Sequence, residues 1–496
     1  MSDLFLGIDA GSSVTKAAVF DAAGRQLGAG GHRIRLLRPQ PGWSEIDPDA
    51  AWRAAVAAIR AALQDAGVTG RDIAAVGLSA AMVGLWLVDA EGRALRPGII
   101  WEDSRAQDLL DRRAAEIPDL YRRVFLSNGC VLQQGCTLPL LMWMKEYEPD
   151  VLARAAHAFS YKDFLRLKLT GRVAADRTEA AVAPGSAARR DRSAEMLDLF
   201  GVSDLAPKLP AVRDSETVGG DITPESAAAT GLAAGTPVAI GAGDVPATVT
   251  GAGALQPGMA LAVLGTTCMV GVVHDRPVFT PPDLGLLFTL PGSGWYRAMV
   301  NVAGTLNLDW AVATLLPDLA GAPDLYARME AMIAPVPVGS EGVVYLPYLS
   351  ESGIIAPVVD RGARAGFHGL TPRHGRPHML RAVYEGVVLA LRDLFRELGG
   401  TGGEILLTGG GARSPMWSQM IADALGVTVL VPAGTEFGAR GAALLAATSV
   451  GRFASVEEAS VSTRAIQRRH EPDRAAAPQW DRAFAAYRAH RDKVLE

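Results

Sequence analysis

Apolar positions at the start of the chain alternate in short runs that are typical of β-strands. The runs predict strands over residues 4–9, 14–20 and about 26–37. Turns are predicted between them at 11–13 and 21–24, where each short break contains glycine. Because a short turn returns the chain beside itself, we expect these three strands to run antiparallel.

Apolar residues then recur at helical spacing in "DPDAAWRAAVAAIRAALQDAG". Asp47 is placed to cap this helix, Pro48 stands at its first position and Gly67 ends it. A buried strand, "IAAVGLS", follows. Three antiparallel strands, a helix and a returning parallel strand predict a ribonuclease-H-like or actin-like α/β domain.

The same order of elements restarts in the second half. Residues 237–254 predict a strand, a glycine-rich turn with an aspartate, and a helix, and residues 259–273 predict two strands around a Gly-Thr-Thr turn. Residues 403–426 add a strand, a glycine turn and a helix. We therefore predict two α/β domains of related topology, joined near residues 245–257, with a cleft between them.

The composition narrows the class of protein. Of 496 residues, 49% are hydrophobic and 20% are charged, as in globular enzymes, and the net charge of −5 argues against a nucleic-acid partner. Cys130, Cys136 and Cys268 have neither metal-ligand spacing nor the pattern of a disulfide framework. No signal peptide or membrane span is predicted, so we expect a soluble cytoplasmic protein without a membrane partner.

Three turns of small residues are the first candidates for chemistry: Gly11-Ser12-Ser13, Gly265-Thr266-Thr267 and Gly409-Gly410-Gly411. Each one alone also fits an ordinary turn. Small residues, however, let backbone N–H groups converge on a phosphate oxygen. Two such hairpins facing each other across a cleft would hold a triphosphate from both sides, and the third turn would leave room for an adenosine.

Two aspartates stand beside these turns, and each also fits a turn or cap residue. Asp9 ends the first strand and Asp244 follows Gly243. A carboxylate repels phosphates unless a cation lies between them, and Mg²⁺ prefers oxygen ligands. A second carboxylate that accepts a hydroxyl proton is the usual partner in phosphoryl transfer to an alcohol. Pro246 predicts a helix start that places Asp244 near the positive end of the helix.

Five ordered motifs make the chain similar to the FGGY family of carbohydrate kinases from about residue 4 to 450. The most specific, "AGFHGLTPRHGRPHMLRAVYEG", resembles the second signature of that family. "LGIDAGSSVTKAAVFD" and "LAVLGTTCMV" resemble its phosphate motifs, "GAGDVPATVTGAGAL" resembles the segment with the catalytic aspartate, and "LTGGGARSPMWSQMIADALG" resembles the adenosine motif. "GIIWEDSRA" and "SYKDFLRLKLTG" are further family-like segments.

The resemblance implies an α/β fold of two ribonuclease-H-like (actin-like ATPase) domains, with ATP and Mg²⁺ in a central cleft. We expect residues 1–248 to bind sugar and phosphate and residues 249–452 to bind ATP. Residues 453–496 are expected to form a helical tail packed on the second domain.

The same resemblance implies the site residues. Asp244 would take the proton of the sugar hydroxyl, and Asp9 would hold Mg²⁺, usually through water. Asp103, in "WEDSR", and Met82 match positions at the sugar. The remaining implied contacts are with the nucleotide: Gly11, Ser12, Ser13 and Lys16 at the transferred phosphate, Gly265 and Thr266 at the β and γ phosphates, and Gly410, Gly411 and Ala412 at the adenosine.

The chain departs from close xylulokinases on the acceptor side. Those enzymes tend to carry a glutamine, a histidine and an asparagine where this chain has Ala81, Val83 and Val245, and a lysine where it has Leu140. Each change removes a polar contact, which lowers discrimination between acceptors. "SNGCVLQQGCTLPLL" and "NVAGTLNLDW" look rather like relatives that act on erythritol or on L-xylulose and keto-gulonate.

We therefore expect an ATP-dependent kinase that phosphorylates a primary hydroxyl of a small sugar or polyol. D-xylulose to D-xylulose 5-phosphate is the leading reaction, with erythritol or L-xylulose and keto-gulonate as alternative acceptors, and a homodimer is compatible with this family. An actin-like, ATP-driven assembly protein is the alternative from another class, against which "WEDSR" and the Gly-Asp-Val-Pro segment argue. A dinucleotide oxidoreductase is disfavoured because the chain lacks G-x-G-x-x-G.

Overall fold

In the computed structural model, which describes residues 3–351, 353–400 and 403–495, two seven-stranded β-sheets form the centre of the molecule. The strands are β1 (Leu4–Ala10), β2 (Val14–Asp21), β3 (Gln26–Arg33), β4 (Glu45–Ile46), β5 (Ile73–Ala80), β6 (Trp86–Val88), β7 (Gly98–Ile99), β8 (His157–Phe159), β9 (Ala175–Asp176), β10 (Val212–Arg213), β11 (Val218–Asp221), β12 (Pro237–Ala239), β13 (Ala242–Gly243), β14 (Ala260–Leu264), β15 (Cys268–His274), β16 (Leu286–Thr289), β17 (Trp295–Asn301), β18 (Val344–Leu346), β19 (Gly366–His368), β20 (Glu404–Thr408), β21 (Thr428–Pro432) and β22 (Ile466–His470). The helices are α1 (Pro48–Ala66), α2 (Gln107–Glu116), α3 (Leu120–Asn128), α4 (Thr137–Tyr147), α5 (Pro149–Arg154), α6 (Tyr161–Thr170), α7 (Arg177–Val182), α8 (Ala194–Leu199), α9 (Pro224–Thr230), α10 (Asp244–Ala252), α11 (Leu306–Leu315), α12 (Leu325–Ile333), α13 (Arg376–Glu397), α14 (Pro415–Leu425), α15 (Phe437–Ser449), α16 (Val456–Ser462) and α17 (Ala477–Val494).

The first sheet has the strand order β11-β12-β5-β1-β2-β3, with β13 beside β5. β1 pairs antiparallel with β2 and β2 with β3, whereas β5 returns parallel to β1. The predicted helix α1 begins where the Asp47 side chain accepts from the Asp49 N–H, and it ends at Gly67, whose φ of 66° is left-handed. The helix and its flanking strands are therefore confirmed.

The second sheet has the order β16-β17-β15-β14-β20-β21-β22. β14, β15 and β17 are antiparallel, β20 runs parallel to β14, and β21 runs parallel to β20. These directions repeat those of the first sheet, which confirms the predicted pair of related α/β domains.

Some boundaries differ from the predictions. β3 ends at Arg33 rather than near residue 37, because its partner strand begins at Val14 and beyond that pair the chain turns away into the Gly11–Ser13 hairpin. α10 begins at Asp244, two residues before the predicted start at Pro246. The segment after 453 contains α16 and α17, and it also contains β22, a mostly polar edge strand that lacks the apolar alternation by which a strand is recognised.

The predicted border between residues 248 and 249 lies inside α10. We propose that the domains divide instead in the loop between α10 and β14, outside any helix or strand.

Among the described residues, no helix combines the length and the apolar character that crossing a bilayer requires.

Helix α15 lies in sequence between β21 and β22 of the second sheet, but it packs against the first sheet. A Cβ atom on Gly7 would lie 1.7 Å from the carbonyl oxygen of Ala439, and one on Gly77 would lie 1.8 Å from that of Ala442. On its other side α15 meets α10, where a Cβ on Gly441 would lie 1.9 Å from a backbone oxygen. Glycine therefore lets the backbones touch, and α10 and α15 fill the space between the two sheets.

Candidate active site

Asp9 and Asp244 lie at the ends of nearby strands of the first sheet. Asp9 in β1 pairs with Ser79 of β5, and Ser79 pairs with Ala242 of β13, two residues before Asp244. The charge of Asp9 acts on Asp244 across this short distance. The structure thus brings together the two carboxylates that the sequence singled out.

The Asp9 carboxylate is held by one hydroxyl and faces a helix end. Ser79 Oγ donates to Asp9 Oδ1 at 2.6 Å. A Cβ on Gly438, in the first turn of α15, would lie 2.3 Å from Asp9 Oδ2, so glycine there leaves room for the carboxylate. Burial raises the pKa of Asp9, whereas the Ser79 hydrogen bond and the charge of Lys16 oppose the rise.

Asp244 is the first residue of α10, and its carboxyl group titrates near neutrality. Burial raises its pKa to about 7, and the negative charge of Asp9 adds to this rise. The Val245 N–H donates to Asp244 Oδ1 at 2.8 Å and opposes it. A carboxyl with a pKa close to neutral pH takes up and releases a proton readily, which is the property required of a general base.

The two aspartates fit a hydrated magnesium ion. In the described part of the chain no donor reaches Asp9 Oδ2, and a divalent cation would relieve the repulsion between Asp9 and Asp244. Among residues 3–351, 353–400 and 403–495, no group of three or more His, Cys, Asp or Glu side chains is arranged to hold a metal. Phosphate and water oxygens would therefore supply most of the ligands.

Lys16 and Glu436 form an ion pair between the two halves of the molecule. Their charged atoms, Nζ and Oε2, are 2.9 Å apart, and the Lys16 side chain is 47% exposed. Glu436 immediately precedes α15, close to Asp9. To neutralise a transferred phosphate, as the family resemblance implies, Lys16 must exchange this carboxylate for a phosphate oxygen.

The first hairpin predicted to bind phosphate, Gly11–Ser13, joins β1 to β2. The Gly11 N–H donates to the Val14 carbonyl oxygen at 3.0 Å and closes the turn. The indole N–H of Trp101 donates to Ser12 Oγ at 3.1 Å, although the Trp101 side chain remains 44% exposed. The "WEDSR" segment therefore contacts the Gly11–Ser13 hairpin through its tryptophan.

The second hairpin, Gly265–Thr267, joins β14 to β15 and supports the start of α11. The Gly304 N–H donates to the Thr266 carbonyl oxygen and the Thr305 N–H to the Gly265 carbonyl oxygen, each at 2.7 Å. The N-terminal end of α11 thus lies directly behind the hairpin. A helix N-terminus carries partial positive charge and favours phosphate nearby.

A cavity of about 430 Å³ lies beside the third glycine turn. It is enclosed by α11, α12 and α14, and Gly410 and Gly411 line it together with Tyr326 and Glu330. Ala412, also implied at the adenosine, is buried behind the turn and is not a lining residue. The structure therefore brings two of the three implied adenosine residues to one cavity.

The side chains next to Asp244, where the sequence predicts the acceptor, are apolar. Met82 packs on Gly243 so closely that a Cβ on that glycine would lie 2.5 Å from the Met82 sulfur. Met82, Val83 and Val245 belong to one hydrophobic cluster. Val83 and Val245 are thus apolar side chains packed on this cluster, at positions where close xylulokinases tend to carry histidine and asparagine.

Asp103 is fully buried, and both of its oxygens accept hydrogen bonds from protein donors. Ser44 N–H reaches Oδ2 at 2.7 Å, and Arg105 binds both oxygens through its guanidinium group at 2.8 Å. Its implied contact with sugar hydroxyls stays a prediction. Trp101, two residues earlier, is the exposed side chain of the "WEDSR" segment. This tryptophan was not singled out from the sequence.

Glu436 was also missed. Its signal would have been a carboxylate directly before the small-residue helix "FGARGAALLAA", but only the fold reveals that this helix begins beside Asp9.

The two related sheets and their helices have the fold of the actin-like ATPase class, and solved structures with this fold include sugar kinases. The solved structure of a "xyloylose kinase" from Brucella ovis superimposes with a TM-score of 0.87, at 30% identity, and the match covers 99% of each chain. Models for the N-terminal and C-terminal domains of the FGGY family of carbohydrate kinases match residues 4–251 and 260–450. The chain therefore belongs to the FGGY family of carbohydrate kinases and is an ATP-dependent sugar kinase.

Two relatives of known name match over nearly their whole length. Erythritol kinase of Brucella abortus (strain 2308) is 32% identical, and the match covers 99% of this chain and 96% of the relative. Xylulose kinase of Escherichia coli (strain K12) is also 32% identical, with 99% and 97% covered.

Proposed function

We propose that this kinase transfers the terminal phosphoryl group of ATP to a primary hydroxyl of a small sugar, with D-xylulose as acceptor and D-xylulose 5-phosphate as product. The Asp244 carboxyl is the observation that carries the proposal: its pKa lies near 7, and Met82 packs on the residue before it. The similarity to xylulose kinases supports this acceptor.

In the proposed reaction, the acceptor hydroxyl lies between Asp244 and the terminal phosphate of ATP. Asp244 accepts the hydroxyl proton as the oxygen attacks phosphorus, and the bond from phosphorus to the ADP oxygen breaks on the opposite side. The Gly11–Ser13 and Gly265–Thr267 hairpins hold phosphate oxygens from two sides. Asp9 would hold Mg²⁺ through water, and the ion would supply positive charge beside the phosphates. Closure of the cleft excludes water, which would otherwise accept the phosphoryl group.

Erythritol is the second candidate acceptor, because two polar partners expected on the acceptor side are replaced by valines. Val83 and Val245 are apolar where a histidine and an asparagine would hydrogen-bond a sugar hydroxyl, and both belong to the cluster with Met82. A site without such partners loses little when the acceptor lacks the matching hydroxyl. The similarity to an erythritol kinase agrees with this candidate.

A coupled assay of ADP release tests the acceptor. D-xylulose, L-xylulose, 3-keto-gulonate and erythritol are compared with ATP hydrolysis in the absence of acceptor, and phosphorus NMR identifies the product ester. We expect the highest kcat/KM with D-xylulose. A higher kcat/KM with erythritol would make erythritol the acceptor instead of D-xylulose. Filament formation with ATP, without any ADP release stimulated by an acceptor, would contradict the proposed function.

The rate of phosphorylation is expected to fall in acid. Only ionised Asp244 accepts a proton, and its ionised fraction decreases as the pH drops through about 7. We expect kcat/KM for the acceptor to decrease about tenfold per pH unit well below that value. Initial rates over a range of buffers, with ATP saturating, measure this limb. A flat profile from about pH 5 to about pH 9 would exclude Asp244 as the base.

A further inference from the structure

A cluster of buried charges lies in helix α6, a segment that the proposed reaction does not use. Lys162, Asp163 and Arg166 belong to α6, within "SYKDFLRLKLTG", and all are at most 1% exposed. Lys162 Nζ lies 2.5 Å from Asp163 Oδ1 and 3.2 Å from Asp176 Oδ1, and Arg166 Nη1 lies 2.7 Å from Asp163 Oδ1. Charges buried this deeply persist only when they are paired in a fixed geometry.

Asp176 connects this cluster to the short helix α7. Its Oδ2 accepts from the Thr178 N–H at 2.9 Å, from the Thr178 hydroxyl at 2.5 Å and from Ser215 Oγ at 3.0 Å. Asp176 is itself fully buried. The start of α7 is therefore anchored by a buried ionic network.

Thr178 connects the anchored start of α7 to the segment that carries Asp244. Its Oγ, while donating to Asp176, accepts from the Gly243 N–H at 2.9 Å. Gly243 is the cap residue of α10, and Asp244 is the first residue of that helix. One hydroxyl thus joins the buried network to the backbone directly before Asp244.

Glu179, the next residue, holds the acceptor loop. Its Oε2 accepts from the Val83 N–H at 3.0 Å. Val83 has a φ of 56°, a left-handed conformation that is strained for a β-branched residue and persists only where contacts enforce it. Glu179 is 5% exposed, and its Oε1 has no hydrogen-bond partner within the described ranges of the chain.

We infer that Thr178 and Glu179 are positioning residues that set the two sides of the reaction centre from one helix. Thr178 fixes Asp244 through Gly243, and Glu179 fixes the loop of Met82 and Val83. The inference rests on the proposed function, in which these two sides meet the same acceptor.

The charge state of Glu179 agrees with this arrangement. Burial, and then the negative charge of Asp176, raise the pKa of Glu179 well above its ordinary value. A protonated carboxyl keeps its second oxygen as an acceptor for the Val83 N–H, and glutamine has the same shape and the same carbonyl acceptor. Glu179→Gln is therefore the conservative variant, and Glu179→Leu removes the acceptor.

Hydrogen exchange of the full chain without ligand tests the two contacts separately. Thr178→Val should accelerate amide exchange in the peptide that contains Gly243 and leave the peptide with Val83 unchanged, and Glu179→Leu should do the reverse. Thr230→Val is the matched control, because Thr230 is also fully buried but donates within its own helix, α9. The inference would be overturned if the three variants exchanged amide hydrogens at the same rates in both peptides. It would also be overturned if Thr178→Val or Glu179→Leu accelerated exchange in both peptides alike.

Kinetics then test the effect on the reaction, with the best acceptor of the four named above. Thr178→Val should lower kcat about tenfold or more, because a small displacement of a base is costly, whereas its KM for acceptor and ATP changes by less than about threefold. Thr178→Ser, which keeps the hydroxyl, should recover most of kcat. Glu179→Leu should raise KM for the acceptor about tenfold, while Glu179→Gln should not.

The two proposals fail in different ways. If the unmodified enzyme phosphorylates none of the four acceptors, the proposed function fails, but the exchange result still decides the contacts of Thr178 and Glu179. If the enzyme is active and both variants lower kcat and raise KM alike, the positioning roles are wrong and the proposed function stands.

Discussion

Asp244→Asn is expected to lower kcat for sugar phosphorylation about a thousandfold, while the affinity for ATP changes by less than about threefold. Asparagine has nearly the same shape and can still accept from the Val245 N–H, but it cannot take a proton. ATP is expected to bind through the hairpins and the cavity beside Gly410, which this change leaves intact. Single-turnover phosphorylation and calorimetric titration with ATP measure the two quantities.

The thermal stability of Asp244→Asn shows whether a loss of activity comes from the missing base or from unfolding of the variant. In the folded chain the pKa of Asp244 is raised from 3.8 to about 7. Folding therefore disfavours the ionised carboxylate, and the resulting loss in the free energy of unfolding grows as the pH rises and is complete only above pH 7. Asp244→Asn removes this destabilisation, so the variant should have a melting temperature no lower than that of the unmodified protein at pH 8. Asp108→Asn, an exposed aspartate in the first turn of α2, is the control and should keep full activity. Substantial activity in Asp244→Asn would rule out the proposed base.

Gly77→Ala is expected to destabilise the protein by about 3 kcal/mol or more. The added methyl group would lie 1.8 Å from the Ala442 carbonyl oxygen. This oxygen belongs to the backbone of α15, so the overlap is relieved only if the whole helix moves away from β5.

Gly31→Ala is the matched control in the same sheet. Gly31 lies in β3, is exposed, and a Cβ there would come no closer than 3.8 Å to another residue. Thermal melting at equal scan rate compares the two variants, because a chain of two domains is not expected to unfold in a single reversible step. If Gly77→Ala melted together with Gly31→Ala, the close contact of α15 with β5 would be wrong.

The sequence predicted those parts of the fold that depend on neighbouring residues. Asp47, Pro48 and Gly67 lie next to the helix they delimit, so α1 could be placed closely. The repeated order of strands followed from the same local signals. The end of β3 could not be predicted, because it depends on where β2 begins, and β22 has no apolar pattern of its own.

The candidate site was predictable to the same extent. Asp9 and Asp244 stood next to recognisable turns, and the structure brings them together. Trp101, Thr178 and Glu179 could not be found, because each acts through a hydrogen bond to a residue distant in sequence. A single sequence contains no sign of such a pair.

The packing of α15 on β1 and β5 determines when the first domain can be completed during translation. The two strands leave the ribosome early, whereas α15, starting at Phe437, is among the last elements to be made. Until then the face of the first sheet around Gly7 and Gly77 stays uncovered. The N-terminal half therefore cannot finish its core while it emerges, and over most of synthesis this apolar face is open to chaperones and to other nascent chains.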